Sequence, residues 1–334
     1  IPDHPWVDET DGAAVRIAMT VGAGNDHPGV LGVLIDQQKT SSEARRFSIR
    51  WRTGKVHSNL AVGADFAAVV ALEANAEISQ RGLELGGKGF SITTATAIEI
   101  GAMKADRQDP PPPLRRFRNG KDLNQSPRNR LLIDLHGHTA ETVKREHPEI
   151  YQWLLNRVKP ERAQNRNKRL RENWWLLRGN REELRAALEN LSWFIATAYV
   201  SKHRFFVALD IDIAPDDGLV AIGAQSWAKL GVLSSRIHVE WALRIGGRLG
   251  VGNDPRYNKN RCFETYPFPA PDEATAKRIG DLAEQLDTHR KRQQEKDPDL
   301  TMTGMYNVLE KLRREELLTD KEKQIHEQGL VSVL

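Results

Sequence analysis

Short apolar runs separated by turn-forming residues predict β-strands in the first part of the chain. The runs AAVRIAMTV at 13–21 and VLGVLID at 30–36 are short and almost uncharged, which is typical of buried strands. Residues 22–29 between them are rich in Gly, Asn and Pro, and they predict a hairpin turn that joins the two strands. FSIRW at 47–51 predicts a third strand, and the alanine-rich stretch 64–79 predicts a helix.

A proline run, DPPPP at 109–113, interrupts this pattern, because proline fits neither a helix interior nor a central strand. We therefore predict a domain boundary near residues 106–114. Beyond it, Thr139 is the predicted N-cap of a long helix. The further predicted elements are a loop and short strand at 81–93, a short helix at 94–104, strands at 131–135, 194–200 and 205–211, helices at 139–158, 183–191, 224–245, 272–296 and 301–328, a basic helix or arm at 160–172, and a Gly-rich loop at 246–261.

The composition narrows the class of protein. Hydrophobic residues make up 39% and charged residues 28% of the chain, as in ordinary globular proteins. The single cysteine, Cys262, excludes a disulfide framework and predicts a reducing, cytoplasmic setting, with Cys262 itself a buried core thiol. No apolar run approaches the ~18 residues of a membrane span. The absence of an initiator methionine leads us to expect a piece of a longer protein.

The net charge of +4 is unevenly distributed. Three basic blocks, at 104–130, 157–185 and 229–261, lie between acidic ends, and Arg outnumbers Lys by 32 to 17. Arginine makes bidentate contacts with phosphate and with guanine edges. The pattern therefore favours a nucleic-acid partner over a membrane surface, although solvated helix faces would produce a similar pattern.

Several short motifs carry little weight as catalytic sites. GAG at 22–24 is followed by Pro28 and a second strand, so a hairpin turn is favoured over a nucleotide loop. DPPP at 109–112 has proline where an amino-methyltransferase motif has its aromatic residue. None of the 17 lysines has Asp or Glu two residues before it, which argues against a PD-(D/E)xK nuclease. Asp134, His136 and His138 lack a further cluster of ligands, so we assign no metal site.

Two polar, basic segments are the candidate DNA readers. The loop 246–261 contains four glycines, and the turn 201–204 lies between apolar strands. Arginine and asparagine are the bidentate readers of guanine and adenine. A solvated basic loop is the alternative. The residues that could read bases are Lys202, His203 and Arg204 in the turn, and Arg248, Asn253, Asp254, Arg256, Asn258, Lys259 and Arg261 in the loop. For phosphate contacts we select the Arg-rich blocks 104–130 and 157–171, with Arg166 and Arg169 in the denser run.

Long segments of the chain share a resemblance to one family. These segments are PRNRLLIDLHGHTAETVKREHPEIYQWLLNRVKPER (127–162), RENWWLL (171–177), SKHRFF (201–206), GVLSSRIHVEWAL (231–243), GRLGVGNDPRYNKNRCFETYPFP (247–269) and TGMYNVLEKLR (303–313). They resemble the region that follows the catalytic core in large DNA methyltransferases of the type IIL restriction-modification class, the MmeI-like enzymes.

The resemblance implies a mixed α/β (α+β) fold in three parts. Residues 1–105 would be the distal part of a methyltransferase domain, with terminal strands of its Rossmann-like sheet. Residues 106–265 would be an α/β target recognition domain similar to those of type I specificity subunits. Residues 266–334 would be a helical spacer, and Ile279, Leu282, Ala283 and Leu286 give it an apolar stripe.

The resemblance also implies a function. The parent enzyme would transfer a methyl group from S-adenosylmethionine to N6 of a flipped adenine, and this chain would recognise double-stranded DNA. In the family the stretch that matches the loop after GGRL sets sequence specificity, which makes Arg248, Asn253, Arg256 and Lys259 the first choices for base contacts. The family's cofactor-binding and N-P-P-Y/F motifs are not found here, so we assign this chain no catalytic or cofactor-binding residue and expect it to be inactive without the methyltransferase core. We expect a monomer. The alternatives are a module that docks a separate methyltransferase or restriction subunit through residues 279–286, and an independent enzyme.

Overall fold

The computed structural model describes residues 4–5, 16–22, 27–39, 45–57, 60–66, 68–249 and 254–330. Helices and strands are mixed, which confirms the expected α+β class. The strands are β1 (His4–Pro5), β2 (Arg16–Ile17), β3 (Gly29–Lys39), β4 (Arg45–Gly54), β5 (Ser79–Arg81), β6 (Ser91–Thr93), β7 (Leu114–Arg118), β8 (Arg130–Ile133), β9 (Trp193–Ala198), β10 (Val207–Asp210), β11 (Ile213–Pro215), β12 (Leu219–Ile222), β13 (Arg248–Leu249) and β14 (Asp254–Pro255). The helices are α1 (Thr94–Glu99), α2 (Gly120–Asn124), α3 (Ala140–Glu146), α4 (Pro148–Arg157), α5 (Lys159–Ala163), α6 (Lys168–Glu172), α7 (Glu182–Leu188), α8 (Trp227–Ser234), α9 (Arg236–Ile245), α10 (Glu273–Lys296), α11 (Met302–Arg313) and α12 (Asp320–Gly329).

The chain divides into two compact units. The first consists of Ile1–Val70 and Leu249–Asn253, and the second of Ala71–Arg248 and Asp254–Leu334.

The first unit contains a long antiparallel hairpin. Strand β3 pairs with β4 from Gly29 opposite Gly54 to Lys39 opposite Arg45, with a shift in register between Leu34 and Asp36. The predicted pairing of 13–21 with 30–36 is therefore wrong. The predicted strand 30–36 lies in β3 and pairs with β4, which contains the segment 47–51. Strand β2, which lies in 13–21, pairs with β1 instead. Most of the GAG motif lies outside the described residues.

The predicted helix at 64–79 does not form in the part of this stretch that the structure describes. Glu73–Asn75 makes a single 3-10 turn, and Ser79 begins strand β5. The Asn75 side-chain amide donates to the carbonyls of Phe263, Glu264 and Tyr266 at 3.3, 3.2 and 2.8 Å. Hydrogen bonds to a distant segment thus replace those of a helix, which sequence periodicity does not reveal.

The second unit is built on two four-stranded sheets. One has the order β10-β9-β12-β5 with antiparallel pairs throughout, and the other has the order β11-β7-β8-β6, in which only the β11–β7 pair is parallel. Fully buried side chains such as Phe90, Leu132, Ile133 and Phe194 form its core. The second sheet pairs strands from both sides of residue 106, where a domain boundary was expected. The division at 105 and 265 stays a prediction.

Two predicted long helices are each divided in two. Helix α3 begins as predicted at Thr139, whose hydroxyl accepts from the Thr142 amide in a capping box. It ends before Pro148, because a proline inside a helix lacks an amide donor and clashes with the preceding turn. The predicted helix 224–245 breaks at Ser235, whose side chain caps α9 by accepting from the His238 amide.

The C-terminal helices agree closely with the sequence pattern. Asp272 caps α10 by accepting from the Thr275 amide. Helices α11 and α12 follow as expected, and α12 ends one residue beyond the predicted range 301–328. The small residue Gly231 of α8 brings that helix against Ile279 and Ala283 of α10. Among the described residues, no helix combines the length and apolar character that a membrane crossing needs.

Candidate nucleic-acid interface

Within the second unit, the turn 201–204 lies beside residues 254–261 of the predicted reader loop. The Tyr257 amide donates to the Tyr199 carbonyl at 2.7 Å, and the Ser201 amide donates to the Pro255 carbonyl at 3.2 Å. Val200 and Arg256 form an isolated antiparallel bridge between these two contacts. The turn 201–204 is therefore joined to the returning end of the loop 246–261, although about 50 residues separate them in sequence.

Tyr199 lies beneath two arginines at this junction. The guanidinium carbon of Arg81 is 3.7 Å from the Tyr199 ring centroid, and that of Arg256 is 5.9 Å away. Arg81 is held by the Asp217 carbonyl, which accepts from Nε at 2.7 Å. Stacking on an aromatic face restrains a guanidinium group while leaving its edge free to donate hydrogen bonds. Sequence reasoning missed Tyr199 and Arg81, because nothing local marks them as neighbours of Arg256.

The Asp216–Asp217–Gly218 turn is hydrogen-bonded to the backbone of Tyr199. The Gly218 carbonyl accepts from the Tyr199 amide at 2.8 Å, and the Gly218 amide donates to Oδ1 of Asp216 at 2.8 Å. Burial raises the pKa of the Asp216 carboxyl to about 7, and the neighbouring Asp217 and Asp122 carboxylates add to this rise. Asp216 therefore changes charge close to neutral pH.

Arg204 is a buried structural residue. Only 5% of it is exposed, and its guanidinium donates to Thr197 Oγ1 at 2.9 Å, to the Pro255 carbonyl at 3.1 Å and to the Ala198 carbonyl. Burial lowers the pKa of Arg204 to about 10. This placement corrects the expectation for Arg204, because a side chain whose donors face protein carbonyls is not available to a base edge.

The two preceding residues of the turn face a C-terminal helix. Lys202 is exposed, and its Nζ donates to Oδ1 of Asn307 at 2.6 Å. His203 Nε2 lies 2.8 Å from the same oxygen, and its ring stacks on Tyr306. Helix α11 therefore fixes the outer face of the turn while leaving Lys202 at the surface.

The loop candidates occupy different settings. Arg248 is exposed, and Asn253 lies outside the described residues. Lys259 Nζ forms a 2.8 Å ion pair with Glu264 in which both side chains are largely buried, so its charge is already matched. Gly246 is required by packing, because a Cβ there would lie 2.1 Å from the Arg256 carbonyl oxygen. This glycine therefore brings two backbone segments together within the protein, and close approach to DNA is not needed to explain it.

The basic segment 157–171 presents a cationic surface. Its exposed cations are Arg157, Lys159, Arg166, Lys168, Arg169 and Arg171. Arg169 is oriented by a 2.6 Å hydrogen bond to the Arg178 carbonyl, and Arg166 makes no ion pair with any residue that the structure describes. Arg162 is different, because it is 1% exposed and donates to the carbonyls of Leu85, Gly86 and Leu176.

The basic block 104–130 has a weaker claim to bind phosphate. Asp122 pairs with Arg128 at 2.8 Å, and Asp212 pairs with Arg116 at 3.2 Å. Arg115 lies 3.4 Å from the buried carboxylate of Asp134. These internal partners reduce the charge that the block can offer to an external phosphate, which revises the expectation of phosphate contacts here.

Cys262, Asp134 and His136 lie in contact with other parts of the protein. Cys262 is fully buried, as predicted, and burial raises the pKa of its thiol to about 11. Asp134 accepts from Arg185 at 2.9 Å, which holds the pKa of Asp134 below its ordinary value despite the opposing effect of burial. His136 Nε2 lies 3.4 Å from a Glu182 carboxylate oxygen. Asp134 and His136 are thus occupied by protein partners.

The fold and these surfaces define an α+β domain in which paired basic loops lie over a stacked tyrosine. The family model of the MmeI target recognition domain matches residues 88–270, which is more than half of the chain, and the chain belongs to this family. The resemblance noted in the sequence is thereby confirmed. No curated protein matches the chain.

A solved structure supports the same fold. The structure of the type IIL restriction-modification enzyme MmeI in complex with DNA matches with a TM-score of 0.64 at 15% sequence identity. The match covers 98% of this chain and 41% of that one, so the present chain spans less than half the length of the protein it resembles. At this identity the likeness shows the fold alone.

Proposed function

We propose that this chain is the part of a type IIL restriction-modification enzyme that recognises double-stranded DNA at a specific sequence. The observation that carries the proposal is the junction of the turn 201–204 with Arg256. At this junction the Arg256 guanidinium carbon lies 5.9 Å from the Tyr199 ring centroid, and Lys202 lies in the adjoining turn. Arginine is the side chain suited to the bidentate contact with guanine O6 and N7.

Base reading and positioning fall to different residues in this proposal. Arg256, Lys202, His203 and Arg248 would face the base edges, with Asn253 as a further candidate. Arg204 and Lys259 would position the two segments through their internal partners. Arg166 and Arg169 would contact phosphates and set the register of the duplex.

The chemistry of methylation would reside elsewhere in the parent enzyme. A methyltransferase core that binds S-adenosylmethionine would transfer the methyl group to N6 of a flipped adenine, and this domain would hold the duplex in place. Methyl transfer by this chain alone would contradict the proposal and favour an independent enzyme.

The first test is binding of the chain to random duplex DNA across a salt series. We expect log affinity to fall linearly with log salt, with a slope of about −0.9 for each phosphate neutralised. Fluorescence anisotropy at fixed pH measures the slope. No binding at low salt would contradict this chain's own DNA-binding role.

The alternative is a protein-docking module built on the apolar stripe 279–286. The structure argues against it, because Ala283 is buried and Ile279 packs on Gly231 within the same chain. Of this stripe, Leu282 is the residue that is substantially exposed, at 59%. Sedimentation should therefore give a monomer, and a dimer that is lost in Leu282→Lys would support the alternative.

A further inference from the structure

Three side chains with metal-binding chemistry converge beside the second sheet. They are His138, Glu146 and His147, and one ligand atom from each lies within 4.8 Å of the others. In the part of the chain that the structure describes, this is the one such group of three His, Cys, Asp or Glu residues. It differs from the Asp134, His136 and His138 triplet considered from the sequence, and only His138 belongs to both.

The loop that carries His138 is held by hydrogen bonds. Nδ1 of His138 lies 3.2 Å from the His136 carbonyl oxygen, and the His138 carbonyl accepts from Trp175 Nε1 at 2.9 Å. Because a carbonyl oxygen only accepts, this contact places the ring proton on Nδ1 and leaves a lone pair on Nε2. A histidine that donates one ring nitrogen to a backbone carbonyl is the usual arrangement of a metal ligand.

The other two residues lie where α3 ends. The capping box at Thr139 fixes the start of this helix, and fully buried Val143 anchors it to the core. Glu146 is the last helical residue, and His147 follows at the break that Pro148 imposes. The backbone on both sides of His147 is restrained, since its amide donates to the Val143 carbonyl at 2.8 Å and its carbonyl accepts from the Tyr151 amide at 2.9 Å.

The Glu146 carboxylate has a weak competitor for a bound cation. Among the residues that the structure describes, it forms one ion pair, with the adjacent Arg145 at 2.7 Å, and both side chains are well exposed. Such surface pairs are weak and exchange readily with solvent. The rings of His138 and His147 are 6.1 Å apart between centroids, in an edge-to-face arrangement.

We propose that His138, Glu146 and His147 form a binding site for a divalent transition-metal cation, with Zn²⁺ as the best match. Two imidazoles and one carboxylate are an open three-ligand set for zinc, in which water takes the fourth position. Imidazole favours zinc over Mg²⁺ and Ca²⁺, which prefer oxygen ligands. A bound ion would tie the His138 loop to the end of α3.

The test is metal binding by the untagged full chain, with Zn²⁺ in calorimetry and Co²⁺ in absorption spectroscopy. We expect one ion per chain and the intense visible bands of four-coordinate Co²⁺. His147→Ala and Glu146→Gln should each weaken binding by at least about 10-fold, because loss of even an outer-shell partner costs 10–100-fold. Neither change removes a buried side chain, and circular dichroism checks that the variants fold.

His136→Ala and Glu141→Gln are the matched controls. His136 is a neighbouring histidine outside the group, and Glu141 is an exposed carboxylate on the same helix. Both variants should bind Zn²⁺ and Co²⁺ as the parent chain does. The proposal is overturned if the parent chain binds no stoichiometric metal, or if the control variants lose as much affinity as His147→Ala and Glu146→Gln.

Discussion

The backbone amide of Tyr257 donates a 2.7 Å hydrogen bond to the carbonyl of Tyr199, and this bond joins two segments that the sequence separates widely. Tyr257 is fully buried, whereas the Tyr199 ring lies under the guanidinium groups of Arg81 and Arg256. The core therefore holds the base of both predicted reading segments.

Arg256→Ala should weaken binding to the cognate duplex by about 1–3 kcal/mol, the value of a good bidentate base contact. Binding to random duplex should change much less. The cognate site would first be selected from a randomised duplex pool, and fluorescence anisotropy would then compare both duplexes. Equal losses on both would show that Arg256 contacts only phosphate.

Arg244→Ala provides the control for Arg256. Arg244 is an exposed arginine on α9 that pairs with Glu240 at 3.8 Å, outside the two reading segments. Its removal changes the net charge equally, so preserved selectivity in this variant would separate base reading from a general loss of charge.

Arg169→Ala should lower affinity for all duplexes alike and reduce the slope of log affinity against log salt by about one unit. The physical reason is the loss of one exposed cation from the surface 157–171. Lys277→Ala, which removes a cation paired with Asp281 on α10, should leave the slope unchanged. An unchanged slope in Arg169→Ala would place Arg169 away from the duplex.

Arg204→Ala should reduce the free energy of unfolding by about 2–4 kcal/mol, because it removes several buried hydrogen bonds made by a charged group. Thr197 Oγ1 and the Pro255 carbonyl would lose their guanidinium partner. Urea denaturation measures the change. The exposed neighbour Lys202 serves as control, and Lys202→Ala should shift stability by no more than about 0.5 kcal/mol. A stable Arg204→Ala variant that binds DNA poorly would restore Arg204 as a base reader.

Asp216 predicts a pH dependence of stability near neutrality. Its pKa is raised to about 7 in the folded protein from an ordinary value of 3.8, so the folded state binds a proton more tightly than the unfolded state. Stability should therefore fall as pH rises through this window, and the loss should be complete above pH 7.

Asp216→Asn removes this titration while keeping an oxygen acceptor for the Gly218 amide. Urea denaturation at pH 5 and pH 8 should show a smaller decline for the variant than for the parent, by on the order of 2 kcal/mol. The same decline in both proteins would show that another group controls the pH dependence.

The sequence predicted correctly those helices whose formation depends on contacts between residues close together in the chain. The Thr139 cap and the long helix that becomes α10 could be predicted because each rests on contacts within a few residues. The stretch 64–79 could not, since Asn75 bonds to carbonyls near residue 265. The pairing of β3 with β4 was also missed, because a strand pattern shows that a segment is extended and does not show its partner.

The sequence by itself determined the α+β class, the basic character of the middle of the chain and the family to which it belongs. Only the tertiary structure decided what each cation does. Lys202 and Arg204 are two residues apart in one basic turn, yet Lys202 is exposed and Arg204 is buried among carbonyl oxygens. The physical reason is that charge is a property of the residue, whereas the partners that satisfy it come from segments distant in sequence.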